Sequence, residues 1–150
     1  VREIIEQHKR CGTNTIQIVD RLVKGTHEEL KTKLPGINIV QVIHVNDESS
    51  IEEAVQVSKS VDYILLDSGN QKLKVKELGG TGRTHDWTIS RKIVEAVDVP
   101  VFLAGGINPD NIKEAVEFVH PFGIDLCSGV RTNGKLDETK LKQLFNKLKS

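Results

Sequence analysis

The sequence lacks several features that would place it in whole classes of protein. It has no excess charge, because 21 Lys and Arg residues balance 21 Asp and Glu residues, so no net field draws it to nucleic acid or to an anionic membrane. Its longest apolar runs, at 37–45 and 99–104, have the length of strands and are far short of a bilayer span. No signal-peptide pattern opens the chain. We therefore expect a soluble, cytoplasmic protein without a nucleic-acid or membrane partner.

Cysteine is scarce and methionine is absent. Cys11 and Cys127 have neither the spacing of a zinc site nor that of a secreted disulfide framework, so reduced thiols are expected. The glycine runs match neither common nucleotide-binding fingerprint, and no group of potential ligands has metal-site spacing. Neither a metal nor a cofactor is therefore expected. Because the chain starts at Val1 without any methionine, we also expect further residues upstream of Val1.

Five β-prone runs alternate with helical segments along the 150 residues. The strand-like runs lie at 15–19, 37–45, 61–66, 101–104 and 123–126. Helical periodicity or capping signals mark 1–9, 26–35, 51–60, 87–97, 108–120 and 137–148. The alternation predicts a single α/β domain over residues 1–150, with parallel strands joined by right-handed crossovers. It fits either a doubly wound sheet or part of a (β/α)8 TIM barrel, which needs at least roughly 200 residues when complete.

Several residues predict where these helices begin and end. Gly12 is expected to end the first helix, and Thr26 begins a capping-box pattern ahead of the second. Asn108 or Asp110 is expected to start the fifth helix, and Asp137 to cap the last.

Glycines follow the last two apolar runs, where ligands of parallel α/β proteins bind. Gly105-Gly106 follow the fourth run and Ser128-Gly129 follow the fifth. Both pairs can present backbone N–H groups to a phosphate at the start of the next helix. Each pair alone could be an ordinary strand-to-helix turn, but two neighbouring pairs favour a phosphate-binding corner.

Two acids are candidates for chemistry at the same strand ends. Asp67 follows the third apolar run, where its carboxyl group can point into a barrel mouth and act as a general acid. A helix cap or a solvated turn residue is an equally good interpretation of Asp67. Asp125 lies within the fifth run and faces either the barrel interior or the helices, so it is a candidate supporting acid that contacts substrate.

The long connection after Asp67 contains Gly79-Gly80-Thr81-Gly82, whose glycines let the backbone approach a ligand closely. Loop mobility alone is the alternative, but we favour substrate contacts at Gly80 and Gly82 because the loop follows a strand end with an acid. His44 and His85 are interpreted as hydrogen-bonded structural histidines. Cys127 could be a nucleophile or base, and the simpler interpretation of both Cys127 and Cys11 is a small buried hydrophobic residue.

At these residues the chain resembles the phosphoribosylanthranilate isomerases of tryptophan biosynthesis. Four stretches carry the resemblance in order: Ile64-Leu65-Leu66-Asp67-Ser68, Gly79-Gly80-Thr81-Gly82-Arg83-Thr84-His85-Asp86-Trp87, Leu103-Ala104-Gly105-Gly106-Ile107-Asn108-Pro109 and Gly123-Ile124-Asp125-Leu126-Cys127-Ser128-Gly129-Val130. They cover nearly the whole chain and correspond to strands four to eight of that family's TIM barrel. The resemblance thus implies a C-terminal portion, with strands one to three absent.

The resemblance implies an Amadori rearrangement of N-(5′-phosphoribosyl)anthranilate to an aminoketose phosphate, without a cofactor. The family's general acid falls on Asp67, which would protonate the ribose ring oxygen as the ring opens to a Schiff base. A base would then remove the proton at C2, and in the family this base is a cysteine on strand one. Phosphate binding falls on Gly105-Gly106 and Ser128-Gly129, with Asp125 as a supporting acid.

The chain also departs from the family pattern. Residues 17–20 keep the glutamine of a Gln-Leu-His-Gly stretch and lose its histidine, and Cys127 and Arg131 replace a more usual serine and acidic residue. We therefore expect a more basic rim around the phosphate. Cys127 as a substitute base is a minor alternative.

Three functions remain open from the sequence. The first is an isomerase that acts on a phosphorylated small molecule once the missing β/α units are restored, and a homodimer is compatible with it. The second is a non-catalytic phosphate-binding or assembly module whose open barrel edges pair with another chain. The third is a related barrel enzyme for another ribosyl or indole phosphate.

Overall fold

The computed structural model of the protein describes residues 1–67 and 87–149. The predicted positions Gly80, Gly82 and His85 lie outside the described residues. The helices are α1 (Arg2–Cys11), α2 (His27–Lys33), α3 (Ser49–Ser58), α4 (Trp87–Ala96), α5 (Ile112–Val119) and α6 (Glu138–Lys149). The strands are β1 (Thr15–Ile18), β2 (Asn38–His44), β3 (Tyr63–Asp67), β4 (Val101–Leu103), β5 (Gly123–Ile124), β6 (Arg131–Thr132) and β7 (Lys135–Leu136), and a 3₁₀ turn covers Ser128–Val130. Within the described ranges, none of the helices has the length and apolar composition needed to cross a membrane.

Strands β1 to β5 form one parallel sheet whose spatial order follows the chain order. Because each right-handed crossover steps in the same direction, the connecting helices lie on one face of the sheet. A doubly wound sheet would reverse this direction and carry helices on both faces. That alternative is wrong for the described residues, and the fold is α/β of the TIM-barrel type with five β/α units.

The helix-facing side of the sheet holds the larger apolar layer. Ile39, Ile64 and Leu103, from three neighbouring strands, are each 0% exposed and pack with buried residues of the helices. Burying a side chain of this size contributes about 1.5–3 kcal/mol. The helices contribute Leu30, Ala54, Ile93, Ile112, Ala115, Val119 and Leu144 to this layer.

The opposite side of the sheet, called the inner face below, has an apolar layer made by the strands and the residues next to them. Val40 and Val42 of β2 pack there with Leu65 of β3 and with Ala104, and Tyr63 and Phe102 adjoin them. Successive residues of a strand point to opposite faces. The last residues of β2 and β3 therefore belong to the inner face, at its carboxyl end.

The helix ends predicted at Gly12 and Thr26 are confirmed. Gly12 has φ 62° and its backbone N–H donates to the carbonyl of His8, which ends α1 in the left-handed conformation that glycine tolerates. The hydroxyl of Thr26 accepts from the backbone N–H of Glu29 at 3.2 Å, as a capping residue does at the start of α2.

The observed N-cap of α5 is Asn111, one residue after the predicted Asp110 and three after the alternative Asn108. The Asn108 side chain binds the preceding loop instead. Its Oδ1 accepts from the backbone N–H of Asp110 at 2.8 Å, which forms a local turn instead of a helix cap. The helix begins at Ile112 with Asn111 as its N-cap. The hairpin of β6 and β7 was also missed, although Asn133-Gly134, with φ values of 52° and 75°, is a typical turn sequence for one.

A buried glutamine joins the first two strands on the helix-facing side. Gln41 is 2% exposed, and its Nε2 donates to the carbonyls of Ile18 at 3.0 Å and Val42 at 3.1 Å. Its Oε1 lies 2.9 Å from His27 Nε2 at the start of α2. A buried amide without such partners would destabilise the fold, so these bonds fix β1 and α2 against β2.

Asp137 caps α6, as predicted, through one carboxylate oxygen, and its other oxygen binds β6. Oδ2 accepts from the Thr132 hydroxyl at 2.6 Å, and Oδ1 accepts from the backbone N–H groups of Thr139 and Lys140 at 3.0 and 3.1 Å. The hydrogen bond from Thr132, followed by that from the Lys140 N–H, holds the pKa of Asp137 below its ordinary value. A carboxyl group whose pKa is lower in the folded state stabilises the fold above its unfolded pKa, and this stabilisation is lost as pH falls through the folded pKa.

We therefore expect Asp137→Asn to lower Tm at pH 7. The difference from the wild type should shrink as pH falls below about 4, the usual pKa of an unfolded aspartate. Circular dichroism melts between pH 2 and 8 measure both effects. Glu138→Gln, on the next and exposed side chain, is the matched control and should change Tm much less. A Tm difference that does not vary with pH would contradict a role for the Asp137 charge.

Candidate active site

Asp67 is the last residue of β3 and lies on the inner face, two residues after Leu65. In the parallel register it is paired with His44, the last residue of β2. The backbone N–H of Val45 donates to the Asp67 carbonyl at 2.9 Å, which keeps the two strand ends level. Both side chains are half-buried. Asp67 thus occupies a strand end at the carboxyl edge of the sheet, and its role as the general acid stays a prediction.

The orientation of Asp125, which the sequence left open, follows from the register of the last two strands. Gly123 is paired with Phe102, an inner-face residue, so Asp125, two residues further on, lies on the same face. Its backbone N–H donates to the Leu103 carbonyl at 2.9 Å, and its side chain is exposed. The carboxyl ends of β2 to β5 thus present a row of four residues, called the mouth row: His44, Asp67, Ala104 and Asp125.

Gly105 and Gly106 follow β4 directly and have φ values of 84° and 67°. This left-handed conformation is one that glycine adopts without strain. The side-chain amides of Asn111 and Asn108 donate to the Gly106 carbonyl at 3.0 and 3.2 Å, which fixes the peptide orientation. The backbone N–H groups of both glycines donate to no other described residue. Backbone N–H groups of this kind can donate to an anion.

The loop after β5 contacts the loop after β4 through Gly129, in the 3₁₀ turn Ser128–Val130. A Cβ atom on Gly129 would collide with the carbonyl oxygen of Ile107 and would lie 3.0 Å from Asn108 Cα. Only a residue without a side chain allows this contact. The predicted residues Gly105, Gly106, Ser128 and Gly129 therefore lie on two touching loops, called the phosphate corner, and their role in binding phosphate stays a prediction.

The structure corrects the interpretation of both cysteines. Cys11 and Cys127 are free and exposed, whereas small buried hydrophobic residues were the simpler expectation. Cys11 is the last residue of α1, and Cys127 lies between β5 and the 3₁₀ turn, so neither side chain belongs to the apolar layers. Among residues 1–67 and 87–149, no group of three or more His, Cys, Asp or Glu side chains is arranged to hold a metal ion.

His44 was interpreted as a hydrogen-bonded structural histidine, and within the described residues this is wrong. Both ring nitrogens are buried and neither has a hydrogen-bond partner there. Among the described residues, Asp20 Oδ1 lies 3.9 Å from His44 Nε2, which is beyond hydrogen-bond range. The sequence signal that could have identified His44 is its even spacing from Val40 and Val42, which places it on the inner face.

Comparisons with known proteins agree with this geometry. The family model described as N-(5'phosphoribosyl)anthranilate (PRA) isomerase matches residues 1–147. An N-(5'-phosphoribosyl)anthranilate isomerase of Methanocella arvoryzae is 33% identical over 143 residues, which cover 95% of this chain and 65% of that protein. The chain thus spans slightly less than two thirds of the length of this relative.

Solved structures show the same fold. The phosphoribosyl anthranilate isomerase from Thermococcus kodakaraensis is 27% identical and has a TM-score of 0.75, with 99% of this chain and 70% of that chain covered. A further phosphoribosyl anthranilate isomerase, in complex with reduced 1-(o-carboxyphenylamino)-1-deoxyribulose 5-phosphate, has a TM-score of 0.71 at 23% identity, with 99% of this chain and 66% of that chain covered. The second likeness supports the barrel fold alone.

The contact between the two glycine loops leads to a stability prediction. Gly129→Ala would push a methyl group against the Ile107 carbonyl, so we expect the free energy of unfolding to fall by about 1–3 kcal/mol, as for an overpacked site. Urea denaturation followed by circular dichroism measures this change. Ser128→Ala, which adds no atom at the neighbouring position, is the control and should leave stability nearly unchanged. Equal stability of Gly129→Ala and the wild type would show that the loops do not touch there.

Proposed function

Because the chain belongs to the N-(5'-phosphoribosyl)anthranilate isomerase family, we propose that it supplies five β/α units of an enzyme of tryptophan biosynthesis. The enzyme converts N-(5'-phosphoribosyl)anthranilate to 1-(2-carboxyphenylamino)-1-deoxyribulose 5-phosphate in the cytoplasm. The five units correspond to strands four to eight of an eight-unit barrel. The 65% share of the Methanocella relative is close to five eighths, which agrees with the number of units but does not bear on their position in the barrel.

The observation that carries this proposal is the order of groups along the mouth of the sheet. The phosphate corner lies at the ends of β4 and β5, and Asp67 lies on the inner face at the end of the adjacent β3. Neighbouring strands are about 4.8 Å apart. A substrate whose phosphate binds the corner can therefore lay its ribose over Asp67, one strand away. The free backbone N–H groups of Gly105 and Gly106 hold the phosphate as donors to its oxygens.

The reaction is an isomerisation that moves protons and electron pairs within one molecule. Asp67, in its protonated form, donates its proton to the ribose ring oxygen as the bond between this oxygen and C1 breaks. The lone pair of the anilino nitrogen forms the C1=N bond of the Schiff base. Loss of the C2 proton to a base then gives the enolamine. It becomes the 2-ketone when C1 gains a proton and the C2 hydroxyl group loses its proton. Asp67 thus acts as the general acid of the first step.

The phosphate contributes to catalysis although no bond to it changes. Its charge is fixed at the corner by backbone groups, so the ribose is held in one orientation relative to Asp67. Binding energy from this remote group is used to position the reacting atoms. Asp125 lies on the inner face beside the corner, where it supports the ribose hydroxyls as a hydrogen-bond acceptor.

Asp67→Asn tests the proposal in the full-length natural polypeptide that carries this sequence. We expect kcat to fall by about 10²–10⁴-fold, the usual contribution of a general acid, because an amide cannot protonate the ring oxygen. KM should change little, since the phosphate corner is unaltered. Steady-state kinetics with N-(5'-phosphoribosyl)anthranilate give both constants.

Asp98→Asn is the matched control for this experiment. Asp98 is exposed and lies in the connection before β4, at the end of the sheet opposite to the mouth. The control should retain wild-type turnover. Normal turnover of Asp67→Asn would disprove the assignment of the acid, and a wild-type polypeptide without turnover would disprove the proposed isomerase.

A further inference from the structure

The side-chain amide of Asn111 is used by the loop after β4 and not by the helix that Asn111 begins. Asparagine is among the best N-cap residues, because its side-chain oxygen ordinarily accepts from an N–H group two or three residues further along its own helix. Asn111 is the N-cap of α5, yet its side chain makes no such bond. Both ends of the amide instead bind backbone groups that precede Asn111 in the chain. The side chain thus stabilises the loop and leaves the helix start without its usual cap.

The two hydrogen bonds of Asn111 act on successive peptide groups, one on each side of Ile107. Nδ2 donates to the Gly106 carbonyl at 3.0 Å, and this carbonyl shares a peptide group with the Ile107 N–H. Oδ1 accepts from the Asn108 N–H at 2.9 Å, and this N–H shares a peptide group with the Ile107 carbonyl. Because a peptide group is planar, holding one of its ends fixes the direction of the other. Asn111 therefore sets the direction of both backbone polar groups of Ile107.

These two groups of Ile107 belong to different parts of the phosphate corner. The Ile107 carbonyl lies against Gly129 of the loop after β5, where a Cβ atom would collide with it. The Ile107 N–H, like those of Gly105 and Gly106, donates to no other described residue. In a trans peptide the carbonyl and the N–H point in opposite directions, so the Ile107 N–H points away from Asn111. One side chain thus controls a backbone donor in the first loop and the contact with the second loop.

Asn108 also contacts the Gly106 carbonyl, but it does less for the corner. Its Nδ2 is farther from this oxygen, at 3.2 Å. Its Oδ1 accepts from the N–H of Asp110, which lies outside the corner. The Asn108 side chain therefore holds one peptide group of the corner, whereas Asn111 holds two.

We propose that Asn111 is a positioning residue of the phosphate corner, which directs the Ile107 N–H to the substrate phosphate and keeps the two loops in contact. It touches neither the substrate nor the reacting atoms. The phosphate is bound by backbone donors, and the direction of one of them depends on Asn111. This role rests on the function proposed above, because it concerns the same phosphate.

Asn111→Ser tests this role in the full-length natural polypeptide that carries this sequence. Serine is a good N-cap residue, so the start of α5 is kept, but its side chain is too short to reach both backbone groups. We expect the KM for N-(5'-phosphoribosyl)anthranilate to rise by about tenfold, the lower end of the effect of a lost hydrogen bond to a charged group. Inorganic phosphate should inhibit the wild type competitively, and its inhibition constant should rise by a similar factor in the variant.

The inhibition constant separates positioning from a general loss of structure. A misfolded fraction lowers the apparent kcat but leaves KM and the inhibition constant unchanged, since only folded molecules turn over substrate. Asn14→Ser is the matched control, because Asn14 is exposed and lies before β1, at the end of the sheet opposite to the mouth. It should leave all of these constants unchanged. If Asn111→Ser does not fold, Asn111→Thr takes its place, since threonine can also cap α5.

The possible outcomes distinguish this inference from the proposed function. If the wild type is active and Asn111→Ser has an unchanged KM or an unchanged inhibition constant, the inference is wrong and the function stands. The same holds if phosphate does not inhibit an active wild type. If the wild type has no turnover, the proposed function fails. The rise in Tm caused by inorganic phosphate, relative to chloride at equal ionic strength, then tests Asn111 alone, and an equal rise in wild type and variant, or none, would overturn the inference.

Discussion

The mouth of the protein depends on one constraint, the uniform direction in which parallel strands follow one another across the sheet. Each crossover is right-handed and steps from β1 towards β5, so the helices pack on a single face. Ile39, Ile64 and Leu103 on that face are each fully buried. Residues at the alternate positions are left for the inner face, where Asp67 lies. A register shift of one residue in β3 would bury Asp67 under the helices and turn Leu66 into the mouth.

Local chemistry made part of this fold predictable from the sequence. Gly12, Thr26 and Asp137 act through bonds to backbone groups only a few residues away, so short stretches were enough to predict them. Asn108 could also cap a helix, but its side-chain oxygen accepts from the N–H of Asp110 in a turn. The sequence does not show which of several nearby N–H groups will bind this oxygen. The order of the strands could not be predicted from the sequence, because a doubly wound sheet and a barrel share the same alternation of strands and helices. The hydrogen bonds of Gln41 could not be predicted either, since its partners Ile18 and His27 are distant in sequence.

The candidate site was also predictable from the sequence only in part. Ligands of parallel α/β proteins bind at the carboxyl ends of the strands. This was sufficient to select Asp67 and the glycines of the phosphate corner, because only the ends of the apolar runs are needed. The contact that joins the corner, between Gly129 and the Ile107 carbonyl, depends on the packing of two loops and has no sequence signature. His44 was misjudged for a related reason. Whether a histidine is structural depends on the partners of its ring nitrogens, and these are known only once β2 is placed beside β3.

Charge separation is the physical problem that the proposed mouth must solve. The proposed substrate would bring a phosphate and a carboxylate to a row that already contains Asp67 and Asp125, in a chain of zero formal net charge. No general field can therefore attract the ligand, and each anion needs its own donor. In the function proposed above, backbone N–H groups at the ends of β4 and β5 bind the phosphate. Asp67 lies on the adjacent β3, so the proposed acid meets the uncharged ribose, where its proton is needed.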